Sequence, residues 1–484
     1  MKKLLKLACA GSFLLAGTNA LAVDAPALDA WLKETVAKNQ IVGLTAVIVE
    51  DGKTVFQKTY GYTDLEAQTP VTGQHLFHVA SVSKPMVAVG IMQLYEAGRV
   101  DLDAPVATYL PYFTMDDART DGVTVRRLLA HISGMPDVQD FGFDVAENDD
   151  GALERWVREQ AGKKLLTDPG TEHSYSNIGF DMLGDVIAKV SGMSFEDYMI
   201  SHVLRPLGLK YATYTYPDVP QAKRVKGYTG ASKPYLIEHY PYRRRHAPSG
   251  TLQLSGDELA RLLTVFSNPE RVVATGLLKA DTVTEMWTVL YKSSEKRQHT
   301  HGWSQHVTDT GTVIRHGGWD TGFRAEIGLY RDRDVGYGLM TNRELAPINT
   351  ITDAIRRASV DEELPPVPEN AGIKARAAYE SGGLPAMLAF LQERMAAGDG
   401  GAGYAVYGFG EDLTREGRHD EALALARAML GAVPNHPLLT YRVAQTLYNT
   451  GDKAAALAMA QEALKLNPGQ SEASDLLAKI EAGE

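Results

Sequence analysis

Cysteine is all but absent: Cys9 is the single one in 484 residues, and it sits in an opening stretch that reads as a removable leader. Once that leader is gone, no disulfide, thiol nucleophile or cysteine-ligated metal remains available. Long apolar runs are equally scarce. Beyond residue 22 no segment reaches the roughly 18–20 consecutive apolar residues that a membrane helix needs, so no stable membrane span is expected. Clustered positive charge is missing too. With 49 Lys and Arg against 60 Asp and Glu, and a formal net charge of −11, the chain has no broad basic face to neutralise phosphates, which argues against a nucleic-acid partner. His299, His301 and His306 lie close together in sequence, yet no carboxylate or cysteine stands near them at a familiar zinc spacing. Neither a metal nor another cofactor is expected.

The first 22 residues do carry a pattern. Lys2, Lys3 and Lys6 form a positive start, Leu7 to Leu15 an apolar centre, and Ala20-Leu21-Ala22 a small-residue cleavage site, the layout of a secretory signal. Cys9 precedes most of the apolar run, which argues against its being a lipid attachment point. Residues 1–22 are therefore set aside as a signal peptide, and a periplasmic or secreted protein is expected. The remaining length is enough for two or three domains.

One polar cluster organises the rest of the chain. The segment His78 to Asp101 reads as a long helix with Ser81 and Lys84 in its first turn and Met86, Val87, Ile91 and Leu94 on its buried side. Residues three apart share a helix face, so a hydroxyl and an amine can meet there. Serine becomes nucleophilic only when a base takes its proton, and lysine serves as that base only when burial or a neighbouring cation lowers its pKa. The bland reading of the same four residues is a Ser cap and a solvated Lys.

Other pieces lie far along the chain. A helix over Asp29 to Lys38 and a hairpin of Gly43 to Glu50 and Thr54 to Tyr62, turned at Asp51-Gly52, open the fold, and a short helix spans Thr124 to Leu129. Tyr175 and Asn177 end a turn-rich stretch before an amphipathic helix over Ile178 to Val190. They can point into a cleft, or they can be a wall residue and an N-cap. The tyrosine-rich stretch from Tyr211 to Tyr242 runs into Arg243-Arg244-Arg245-His246, where the arginines can hold a substrate carboxylate or sit in solvent. Further on, strands are expected over Gly302 to Val307, Val313 to Trp319 and Ala325 to Tyr330. Gly317 and Gly318 would let a ligand lie close against the middle one.

Together, Ser81-Val82-Ser83-Lys84, Tyr175-Ser176-Asn177 and His316-Gly317-Gly318 resemble the S-x-x-K, Y-x-N and K/H-x-G motifs of the serine β-lactamase and penicillin-recognising family. The likeness is to its class C β-lactamase, DD-peptidase and esterase branch. Leu128 to Pro136 is similar to that branch's L-L-x-H-T-S-G-L-P stretch, and Pro206 to Leu209 to its P-L-G-M. The resemblance covers about residues 25–360. It implies an α+β hydrolase domain, residues 23–362, with an antiparallel sheet beside an all-helical region. It also implies catalytic roles for Ser81, Lys84 and Tyr175, a polar contact from Asn177 to substrate or to Lys84, and substrate contacts from His316, Gly317, Gly318 and Trp319, with the backbone N–H groups of Ser81 and Trp319 holding an oxyanion. Whether Lys84 or a Tyr175 phenolate takes the serine proton stays open. His316 stands where many β-lactamases have lysine, which shifts the expectation from a dedicated β-lactamase toward a D-amino-acid peptidase or an esterase.

Glu363 to Asn370 is proline-rich, and residues 363–372 read as a linker. Beyond it Gly417, Ala422 and Pro434 recur 34 residues later as Gly451, Ala456 and Pro468, the tetratricopeptide period. Residues 373–484 are thus expected to form an all-α repeat domain, with a poorly matching first unit and a final capping helix. The expected partners are a small-molecule or peptide substrate with an amide or ester bond, and a protein held by the repeat groove. The alternative is a non-catalytic receptor whose repeat tail is the working part.

Overall fold

The computed structural model describes residues 23–397, 402–468 and 470–482. The leader read from residues 1–22 lies outside them.

Nine antiparallel strands form one sheet, in the order Thr69–Pro70, Lys53–Asp64, Gly43–Glu50, Val335–Thr341, Phe323–Tyr330, Gly311–Asp320, Ser304–Thr308, Arg297–His299 and Tyr291–Ser294. The first hairpin turns at Asp51 and Gly52, both with positive φ (48° and 74°), the conformation that suits a two-residue turn to the strand twist. Because side chains alternate along a strand, Val313, Tyr330, Val335, Tyr337 and Leu339 face one way and pack on the helices Ala25–Lys38 and Ile348–Ala358. Ile314, Phe323, Ala325, Ile327 and Met340 face the other way, into the larger core shared with the helical region. At the centre of that core runs the helix Ser83–Glu96, with Met86, Val87, Val89, Ile91 and Met92 fully buried.

The stretch 363–370 lies along the first helix. Trp31 donates its indole N–H to the Pro365 carbonyl (2.7 Å), and the Asn39 amide donates to that of Pro368 (3.0 Å). The tail is all-helical: Ala371–Ala396, kinked at Gly382 and Gly383, then Ala402–Arg415, His419–Ala432, Pro437–Asn449, Lys453–Leu466 and Ser471–Glu481. Gly417 and Gly451, one period apart, both take positive φ (73° and 87°) between paired helices, where a side chain would be strained. Ala422 and Ala456 are buried in the helix contacts, where small residues let the paired helices approach.

Candidate active site

The long helix expected from His78 is interrupted. Leu76–His78 is a short strand paired with Gln253–Ser255. Ala80 then takes φ +46°, Ala80–Val82 makes a 3-10 turn, and the α-helix begins at Ser83. Ser81 therefore sits on a tight turn, not inside the helix. Ser83 holds that turn by donating to the Ala80 carbonyl (2.6 Å) and accepting from the Leu252 N–H (3.0 Å).

Lys84 has no exposed surface. Its ammonium donates to Ser81 Oγ (2.9 Å), Asn177 Oδ1 (2.7 Å) and the Ser249 carbonyl (2.6 Å), which accounts for all three of its donors. Burial pushes its pKa down to about 7, against the opposing pull of Asp181, Asp137 and Asp320. Burial raises that of Tyr175 above the usual phenol value, and Asp137 and Asp181 add to the rise; interaction with Ser81 works the other way. A neutral phenol thus faces the serine beside an amine poised near neutrality.

Of the two readings of Asn177, the N-cap is the one that fails. Ser176 caps the helix Asn177–Ser191, accepting from the Gly179 N–H (3.0 Å), while Asn177 is its first residue and turns its amide to Lys84. Asp137 fixes the orientation of that amide, accepting from the Asn177 side-chain amide (3.0 Å) and backbone N–H (2.7 Å). His131 supports Tyr175 from behind, with ring centroids 4.1 Å apart. Its Nδ1 accepts from the Ser176 N–H (3.1 Å), and burial keeps the ring uncharged. Asp181 receives the Ser249 N–H (3.2 Å) and bonds His246 (2.8 Å) and the Trp156 indole (3.0 Å), so it holds the turn whose carbonyl meets Lys84. Sequence reading assigned no role to Asp137, Asp181 or Ser249. Each acts across many residues, and nothing in its local sequence signals it.

Ser81, Tyr175, Asn177, His316, Gly317, Gly318 and Trp319 all line one cleft of about 390 Å3. The strand Gly311–Asp320 bounds it. Its neighbour Ser304–Thr308 pairs with it only up to Arg315, so His316 to Asp320 present a free edge. A side chain at position 318 would put its Cβ 2.1 Å from the Val79 carbonyl oxygen, so glycine is what lets this strand close onto the Ala80–Val82 turn. The buried His78 ties the same two elements together: its Nε2 meets Asp320 Oδ2 at 3.1 Å. Ser81 and Trp319 line the same cleft, and Trp319 is 62% exposed.

His316 carries no charge near neutral pH. Burial, and then the Lys84 charge, push its pKa down to about 3. Its Nδ1 meets the Gly317 carbonyl at 2.8 Å, which assigns the proton to Nδ1 and leaves Nε2 as an acceptor. Positive charge at the cleft comes instead from Arg297 and Arg324.

The arginine run is neither a carboxylate clamp nor a solvated loop. Arg243 and Arg245 pair with Glu147, Arg244 with Glu196, and Arg245 also with Glu159. The three histidines take separate partners. His299 bonds Ser293 and stacks on His173 in the cleft, His301 is buried against Arg126 and the Met286 carbonyl, and His306 faces Val313, Arg315 and Tyr337 on the far side of the sheet.

Comparison with known proteins agrees with this fold. Residues 28–362 match the β-lactamase family model, and residues 413–480 match a tetratricopeptide-repeat model. Protein flp of Staphylococcus aureus (strain MW2) is 27% identical over 244 residues, 50% of this chain and 49% of its own length. Penicillin-binding protein 4* of Bacillus subtilis (strain 168) is 28% identical over 214 residues, 44% of each chain. The chain thus spans about half the length, or less, of these relatives. Among solved structures, the octameric penicillin-binding protein homologue from Pyrococcus abyssi superimposes with a TM-score of 0.62 at 24% identity, covering 74% of this chain and 82% of its own; that likeness speaks to the fold. The chain belongs to the β-lactamase family, as an α+β β-lactamase/transpeptidase-like domain followed by tetratricopeptide helices.

Proposed function

We propose that this is an exported serine hydrolase that opens amide or ester bonds through an acyl-enzyme on Ser81. The observation that carries the reading is the fully buried Lys84, bonded at once to Ser81, Asn177 and Ser249. With burial holding its pKa down to about 7, the amine can be neutral near neutral pH and take the Ser81 proton. Tyr175, held as a neutral phenol, suits the opposite task, giving a proton to the departing amine or alcohol while the lysine proton replaces it. Ser81 Oγ bonds to the carbonyl carbon, and the oxyanion lies against the Ser81 and Trp319 backbones, each donor contributing about 3–4 kcal/mol. Water then releases the acyl group.

A neutral acceptor at His316 supports a substrate that offers an N–H or O–H there, rather than one anchored by a fixed lysine cation. That favours a D-amino-acid peptidase or esterase over a dedicated β-lactamase. The leader supports a periplasmic or secreted site of action, and the repeat helices support a protein partner.

Intact-protein mass spectrometry with a labelled penicillin and a fluorophosphonate tests the reading. One adduct per chain, lost in Ser81→Ala, is expected. No adduct from either reagent would leave the receptor reading in its place. On parallel substrates, a short ester or a D-alanine amide, neither of which needs a carboxylate anchor at His316, should turn over faster than a cephalosporin.

A further inference from the structure

The repeat helices meet the hydrolase domain at the hairpin Tyr228–Thr229 with Tyr235–Leu236 and its turn. Asp412, on the helix Ala402–Arg415, is completely buried. Its carboxylate accepts from the Ala231 N–H (3.2 Å), the Ser232 N–H (2.7 Å) and the Ser232 hydroxyl (2.5 Å). A surface contact would not need a carboxylate without solvent and with three donors from the other domain. The approach is close as well. A Cβ on Gly372 would stand 2.5 Å from the Ala231 carbonyl oxygen, and one on Gly408 2.7 Å from the Ala231 Cβ.

The other side of the hairpin leads to the cleft. The Tyr228 N–H donates to the carbonyls of Asn342 (3.0 Å) and Gly322 (3.3 Å), and the Tyr228 carbonyl accepts from the Glu344 N–H (2.9 Å). Between these stands Arg343, fully buried, bonded to the Thr229 carbonyl. Glu344 in turn accepts from the Gly322 N–H (3.2 Å) and the Trp319 indole N–H (3.4 Å). Gly322 lies in the turn that returns the cleft-edge strand to its neighbour, and Trp319 is the last residue but one of that edge.

We infer that the repeat domain is a positioning element of the hydrolase site: Asp412 sets the 228–236 hairpin, which through Arg343 and Glu344 sets the Gly322 turn and Trp319. The inference rests on the serine-hydrolase reading for its catalytic half alone. The link itself is a matter of hydrogen bonds and close packing.

The test uses the full chain carrying Asp412→Ala, Asp412→Asn or Leu476→Ala, the last a change in the distal helix contacts. Hydrogen exchange over residues 316–324 and the rate of Ser81 labelling by a fluorophosphonate are measured together. Asp412→Ala should raise exchange over 316–324 and lower the saturating labelling rate about tenfold, with half-saturation little changed. Asp412→Asn, which keeps an acceptor, should recover most of the rate, and Leu476→Ala should leave both readouts unchanged. Unaltered exchange over 316–324 in Asp412→Ala overturns the link, and raised exchange with a wild-type labelling rate overturns its catalytic half. If the wild type itself is never labelled, the hydrolase reading fails and the exchange measurement still decides the link. Should Asp412→Ala fail to fold, Ser232→Ala, which removes one of the three donors, carries the same two measurements.

Discussion

Two cations, Lys84 and Arg343, are fully buried in the hydrolase domain, and their surroundings differ. Lys84 meets three acceptors, and burial brings its pKa down to about 7. Arg343 is held by the Thr229 carbonyl, its Nε and Nη2 have no hydrogen-bond partner among the described residues, and burial pulls it down only to about 10. An amine with a complete set of partners can give up its charge and still be accommodated. A guanidinium keeps its charge near neutrality, so it can act only as a fixed positive centre. The first arrangement suits proton transfer and the second suits holding two segments in register.

Exchanging the two cation types should break this contrast most visibly. Lys84→Arg replaces an amine that can discharge beside Ser81 with a fixed cation, so Ser81 acylation should fall about a thousandfold or more, measured as the rate of covalent labelling. Arg343→Lys should lower labelling only about tenfold, as Asp412→Ala does, and lower stability by about 1–3 kcal/mol, because a shorter, more strongly hydrated head group loses the Thr229 bond; a denaturant midpoint reads the stability. A smaller effect concerns the pH dependence of folding. Between pH 7 and the ordinary lysine value of 10.5, the unfolded chain keeps a proton that folded Lys84 has released. Stability from this group therefore rises with pH across that window, by up to about 1.4 kcal/mol per pH unit, and is at its lowest below pH 7. Lys84→Met should remove that slope when urea unfolding is compared at pH 7 and pH 9. The smallest change is expected from Asp137→Asn. It keeps an acceptor for Asn177 but removes a carboxylate that favours the lysine charge. Labelling, which should rise with pH as Lys84 deprotonates, should then rise at lower pH, with less than about a tenfold change in rate at pH 7.

Local pattern carried much of the fold into view. The Gly43–Glu50 strand, the Asp51-Gly52 turn and the 34-residue period depend on neighbours in sequence, so composition and spacing reveal them. What stayed hidden depends on distance. His78 looks like the start of a helix, and only its bond to Asp320, 242 residues away, shows why a strand ends there. Arg243, Arg244 and Arg245 look like a ligand clamp until Glu147, Glu159 and Glu196 arrive from other elements. Within the cleft, Ser81, Lys84, Tyr175 and Asn177 were legible because each has a distinctive residue type in a recognisable motif. Asp137 and Ser249 were not, since an aspartate in a loop or a serine carbonyl has no signature until the lysine it serves is seen in place.

The five tryptophans add a practical consequence. Trp31, Trp156, Trp287 and Trp303 are each less than 9% exposed, whereas Trp319 is 62% exposed at the rim of the cleft. An aqueous quencher such as iodide should therefore dim one red-shifted component of the intrinsic fluorescence and spare the rest. The protein carries its own optical reporter of whatever comes to occupy the groove beside Ser81, and no dye has to be attached to read it.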